Sequence, residues 1–102
     1  MRTHQEIDRR SLELHRAVAE KIRKEPALLR IAQDNLDRWE RRGASHSQPY
    51  LDEWRRILNS GTEVVLLTIV DPSARATALR QSSPFSGVLT PRERARILAT
   101  WS

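Results

Sequence analysis

The chain has 102 residues, with 18 lysines and arginines against 13 aspartates and glutamates, three histidines, no cysteine and a formal net charge of +5. An apolar share of 38% beside a charged share of 30% describes one folded domain, 1–102, with a small core. The absence of cysteine excludes disulfide scaffolds, thiolate zinc sites and cysteine nucleophiles.

Helix signals begin at once. Thr3 and Glu6 have the spacing of a capping box, in which a hydroxyl and a carboxylate satisfy two backbone N–H groups reciprocally. Ile7, Leu14, Val18 and Ile22 then form one stripe at helical spacing, which predicts a first helix from His4 to about Lys24. No apolar signal segment is legible in Met1 to Glu6, so the expected location is the cytoplasm. Pro26 suits the first turn of a second helix, on which Leu28, Ala32, Leu36 and Trp39 share a face. Arg41 and Arg42 fall in its last turn and Gly43 supplies a left-handed cap, before a polar linker over 44–48.

Pro49 opens a third helix, with Tyr50 or Leu51, Trp54, Ile57 and Leu58 on its apolar side and Gly61 at its end. Thr62 is the next candidate N-cap, ahead of Val64-Val65-Leu66-Leu67-Thr68-Ile69-Val70. That run is rich in β-branched residues and suits a strand, but it does not alternate and the chain offers no second strand to pair it. It is therefore predicted as a helix, apolar nearly all round and so central to the core, and it is far short of the ~20 residues that cross a bilayer. Asp71 and Pro72 mark a break, with Asp71 as N-cap and Pro72 as first helical residue of a short alanine-rich helix reaching Gln81. Residues 82–87 form a loop anchored by Phe85. Thr90-Pro91-Arg92-Glu93 is a second capping box, opening a last helix that carries Ala95, Ile97, Leu98 and Trp101. The expectation is an all-α, compact bundle of about six short helices.

Catalytic chemistry is not legible. His4, His15 and His46 lack metal-ligand spacing. Asp34 and Asp37 share a helix face that reads more simply as solvated. No serine stands in a nucleophile elbow, and the isolated glycines form no phosphate loop. No catalytic residue, metal ligand or cofactor is nominated, and the chain is read as a non-enzyme whose outer surface, rather than any pocket, does the work.

Charge is uneven. Residues 1–71 carry 13 basic and 12 acidic side chains, whereas 72–102 carry Arg75, Arg80, Arg92, Arg94 and Arg96 against Glu93 alone. Arginine suits bidentate pairing with carboxylates and phosphates, although an arginine-rich base composition explains its use as well. Arg92 and Arg96, four apart, can share a face that meets nucleic-acid phosphates. A helix-turn-helix around Gly61 fails, because the helix after it is too apolar for a major groove. Ser73, Thr77 and Arg80 make a polar stripe leading into Gln81, Ser82, Ser83, Pro84 and Phe85. It serves either as a protein-docking edge or as a lock in which Arg80 and Gln81 bond nearby helix termini.

Arg75-Ala76-Thr77-Ala78-Leu79-Arg80-Gln81-Ser82-Ser83-Pro84-Phe85-Ser86-Gly87-Val88-Leu89-Thr90, followed by Arg92-Glu93-Arg94, resembles the core of a family of small bacterial helical proteins of about this length. The stretches Arg10-Ser11-Leu12-Glu13-Leu14-His15-Arg16 and Pro49-Tyr50-Leu51-Asp52-Glu53-Trp54 are similar to it as well. The run 64–70 is more β-branched than the resemblance leads one to expect. Such proteins are often encoded beside nucleotidyltransferase-like toxins of the abortive-infection type. The resemblance implies an antitoxin or toxin-partner role, with Arg75, Thr77, Arg80, Gln81, Ser82, Ser83 and Phe85 meeting the partner protein. The alternative is a basic nucleic-acid-binding or autoregulatory factor using Arg92 and Arg96. Neither involves a membrane.

Overall fold

A computed structural model describes residues 3–43 and 48–100. The helices are α1 (His4–Lys24), α2 (Leu29–Arg41), α3 (Gln48–Asn59), α4 (Thr62–Ile69), α5 (Ala74–Arg80) and α6 (Pro91–Ala99), with a 3₁₀ turn at Pro26–Leu28. There is no strand among the described residues, so the architecture is an all-α bundle of six helices. No helix of the described residues is long and apolar enough to cross a membrane. The expected linker residues 44–47, with His46, and the last-helix Trp101 lie outside the described residues.

Several boundaries differ from expectation for local reasons. At α1, the Thr3 hydroxyl accepts the Glu6 N–H at 3.1 Å, one half of the expected box. Pro26 opens a 3₁₀ turn, and α2 begins only after it. Gly61, not Thr62, is the N-cap of α4: it adopts φ +109°, where a Cβ is strained, and Thr62 is already helical. At α5 the N-cap is Ser73, whose hydroxyl accepts the Ala76 N–H at 3.2 Å. Asp71 instead takes the Ser73 N–H at 2.9 Å, which shapes the turn before the helix. The second capping box is complete, with Thr90 and Glu93 each accepting the other's backbone N–H.

α1 is the spine: it packs against α4, α5 and α6, while α2 packs on α3 and α3 on α4. Val18, Ala19 and Ile22 of α1 join Ala32 and Leu36 of α2, Leu51, Trp54, Ile57 and Leu58 of α3, and Val65, Leu66 and Ile69 of α4 in one core cluster. Leu79, Phe85 and Val88 extend it beneath the 82–90 loop. The β-branched run is thus helical because burial of one of its faces outweighs a propensity cost of a few tenths of a kcal/mol per residue. It is not encased, however: Val64 and Leu67 point outward, Leu67 with 69% of its surface exposed. On α3 it is Leu51 that is buried and Tyr50 that is exposed. Trp39 packs partly buried against the core, and Trp54 is fully enclosed.

Two polar side chains tie the long loop to this core. Asn35, buried in α2, donates from Nδ2 to the carbonyls of Pro84 at 2.7 Å and Ser86 at 3.0 Å, and its Oδ1 accepts from Arg38. Lys21 on α1 donates from Nζ to the Val88 carbonyl at 2.8 Å and to Glu93 Oε1 at 2.7 Å. The second bond matters because α6 contributes no fully buried side chain; Ile97 and Leu98 are half-buried and Ala95 is exposed.

Asn35→Ala strands the buried Pro84 carbonyl and is expected to cost about 1–3 kcal/mol in urea unfolding, with the helical circular dichroism retained. A second expectation concerns acid. The Lys21 ammonium and then the Thr90 N–H hold the Glu93 carboxyl at about 2, below its ordinary 4.5. A carboxylate lowered in this way stabilises the fold fully above pH 4.5 and loses that contribution as pH falls through about 2. Urea melts of Glu93→Gln should therefore show a shallower decline of stability across that window than the parent chain.

Candidate functional site

The α1 residues Ile7, Arg10, Ser11, Leu14, His15 and Val18 recur at helical spacing and occupy one face. The core covers only the C-terminal part of that face. Val18 is buried and Leu14 half-buried, and Ile7 is 49% exposed. What the bundle leaves open is one wall of a cleft of about 590 Å³, whose other wall is built by Arg80, Gln81, Ser83, Phe85 and Ser86, with Gly87, Leu89 and Arg94 completing it. The sequence nominates an outer surface and no pocket. Part of the nominated segment lines this concave surface.

At the base of the cleft a chain of hydrogen bonds joins α1 to the loop. His15 Nδ1 lies 2.7 Å from the Ser11 carbonyl oxygen, and Nε2 lies 2.7 Å from Ser83 Oγ. The carbonyl can only accept, so Nδ1 carries the proton, and Nε2 of the neutral ring accepts the Ser83 hydroxyl proton. Ser83 Oγ in turn accepts the Phe85 N–H at 3.3 Å. The His15 ring also meets Phe85 edge-on, with centroids 6.2 Å apart. Burial pushes the His15 imidazole below its ordinary 6.5; the Ser11 bond opposes this and the Arg80 charge adds to it. A neutral base beside a hydroxyl is an arrangement that can polarise Ser83. Here the same bonds pin the loop onto α1.

Arg80 is 5% exposed. Its Nη1 donates to the Asp71 carbonyl at 2.7 Å and approaches the Ile69 carbonyl at 3.4 Å, and its Nη2 donates to Thr77 Oγ1 at 3.1 Å. Those carbonyls lie at and just beyond the C-terminus of α4, where free acceptors and the helix dipole favour a cation. This is the locking role that the sequence leaves open for Arg80. The buried Nε has no partner. Burial lowers the Arg80 pKa, against the opposing fields of Asp71 and Asp8.

Of the other nominated residues, Gln81, Ser83 and Phe85 line the cleft with Arg80, whereas Arg75, Thr77, Ser82, Arg92 and Arg96 do not. Arg75 is exposed and paired with Glu53, which also holds Arg56. Thr77, Ser82 and Ser83 are half-buried, Gln81 is exposed, and Phe85 is buried against Trp54. Arg92 and Arg96 are exposed on α6, away from the lining of the cleft. Asp34 pairs with Arg30 and Asp37 with Arg55, while no group of three metal-ligating side chains occurs among the described residues.

Sequence reasoning misses Arg10, Ser11, His15 and Arg94 as partners of the 81–86 segment. A signal for the first three exists in the polar residues interleaved with the apolar stripe of α1. Nothing in the sequence says that the bundle stops short of covering them. No family model, curated protein or solved structure matches the chain.

A neutral His15 predicts a pH effect of definite sign. Protonation would leave Ser83 Oγ two donors to accept and would set a second cation beside Arg80. Because the folded value lies below the ordinary 6.5, the unfolded chain binds the proton more readily, and stability drops as pH falls from 6.5 to the folded value. Proton NMR should show the His15 imidazole titrating below 6.5, and the slope of stability with pH in that window should diminish in His15→Gln.

Proposed function

We propose that this chain acts by binding, as the antitoxin-like partner of a nucleotidyltransferase-type toxin. The resemblance of residues 75–90 supplies the class of partner. The observation that carries the reading is the charge of the face around the 81–83 turn: Arg10, Arg80 and Arg94 line it, and no carboxylate does. Such a face complements an acidic or nucleotide-binding surface of a partner. Exposed Gln81, which lines the face, offers hydrogen bonds to a partner. Buried Arg80 and Phe85 fix the shape of the face from below. Matched charge raises the association rate and selects the partner.

A second reading, a nucleic-acid-binding factor, draws on Arg92, Arg94 and Arg96. All three are exposed on α6 and none has an ion-pair partner among the described residues.

The test is co-expression with the untagged nucleotidyltransferase-type product of a gene beside its own. The tagged chain should co-purify with that product and restore growth. The double substitution Arg10→Glu, Arg94→Glu should slow association at least tenfold while leaving the helical circular dichroism unchanged. Failure of the native chain to capture or neutralise the product overturns the partner reading. If it instead retains DNA with an affinity falling steeply with salt, the second reading replaces it.

A further inference from the structure

The cleft has a composition that a docking face alone does not require. Its ionisable lining is Arg10, His15, Arg80 and Arg94. Asp71 and Asp8 act on Arg80 through space, but neither lines the cleft. Several arginines elsewhere are paired with acids, as Arg16 is with Glu13 and Arg55 with Asp37 and Glu40. The guanidinium groups of Arg10 and Arg94 form no hydrogen bond or ion pair among the described residues. Beside them sits Arg80, whose buried Nε is the one buried side-chain nitrogen or oxygen without a partner among the described residues. A concave space lined by guanidinium groups and by no carboxylate suits an anion.

We propose that this cleft is a binding site for a small phosphate monoester carrying an apolar body, with Arg10 and Arg94 gripping the phosphate and Ile7, Leu14 and Leu89 covering the body. The guanidinium fork matches phosphate oxygens bidentately. A monoester brings ~1.5–2 negative charges at neutral pH, which suits a site of several arginines better than the single charge of a carboxylate. The hydroxyl of Ser11, only 3.5 Å from His15 Nδ1 and so weakly engaged there, is a further donor for a phosphate oxygen. The apolar residues explain why the ligand is more than a bare ion. Ile7 is among the most exposed large apolar side chains, and with half-buried Leu14 and Leu89 it adds an apolar lining beside the charge. The volume of about 590 Å³ lies within the range of small-molecule pockets. The site goes beyond the partner reading and does not depend on it, because every group it uses belongs to this chain.

The experiment is calorimetric titration of the purified full chain, without any partner protein, in a phosphate-free buffer. Phenyl phosphate is the probe, compared with inorganic phosphate, benzoate and phenol. Phenyl phosphate should bind in one-to-one ratio, at least tenfold more tightly than the other three. Arg10→Ala and Arg94→Ala should each weaken it tenfold or more, while Arg92→Ala, on the same helix but outside the lining, should leave it unchanged. Circular dichroism checks that each variant folds, and chemical-shift changes centred on Ser11, Leu14 and Leu89 locate the ligand independently. The proposal is overturned if phenyl phosphate does not bind. It is equally overturned if benzoate or inorganic phosphate binds as tightly, or if Arg92→Ala weakens binding as much as Arg94→Ala. Because no partner is present, these outcomes are separate from success or failure of toxin capture.

Discussion

Phe85 and Trp54 meet almost at right angles, with ring centroids 5.3 Å apart, and the loop after α5 is placed by that contact. Both rings are buried, and Trp54 Nε1 donates to the Leu79 carbonyl at 3.0 Å, so α3 holds the end of α5 and the loop together. Such an aromatic pair adds about 0.5–1.5 kcal/mol beyond its burial. Asn35 reinforces it from α2 by holding the carbonyls on either side of Phe85, those of Pro84 and Ser86. With the loop fixed in this way, Ser83 reaches His15 and the second wall of the cleft stands opposite α1.

Arg80 performs a related task in the other direction. By holding carbonyls at and beyond the C-terminus of α4, it joins the end of the most apolar helix to α5. A guanidinium is suited to this because it carries several donors in a fixed fork and stays charged when partly desolvated. The consequence is a cation held inside the wall of the cleft at neutral pH. Its field falls on His15, which is already disfavoured as a cation by burial. The neutral imidazole and the permanent guanidinium are thus consequences of one packing arrangement.

The electrostatics of the molecule divide into two regions. Around α2, α3 and the start of α5, several arginines are paired with carboxylates: Arg30 with Asp34, Arg55 with Asp37 and Glu40, Arg75 and Arg56 with Glu53. Exposed pairs of this kind contribute little to stability and leave the surface near neutral. Among the residues that line the cleft or belong to α6 the sole acid is Glu93, and it is engaged by Lys21 and its own cap. The charge imbalance of the last third of the chain therefore becomes, in space, a basic region that takes in Arg10 of α1.

Local chemistry, and so the sequence by itself, determined the helices. Several ends are set by residues within a few positions of one another, as at Thr3, Gly43 and the Thr90–Glu93 box, and the apolar stripes fixed which faces of α1, α2 and α3 turn inward. The same locality made 64–70 legible as a helix, since no second strand exists for it to pair with. Where two local solutions compete, as between Asp71 and Ser73 for the N-cap of α5, the sequence did not choose; the geometry of the turn did. Only the tertiary structure decided the cleft. His15 meets Ser83 across 68 positions and Asn35 meets Pro84 across 49, and no periodicity encodes such contacts. The exposure of Ile7 likewise follows from where the neighbouring helices end. A stripe on one helix specifies what it is able to bury, but the lengths and directions of the others fix how much of it is covered.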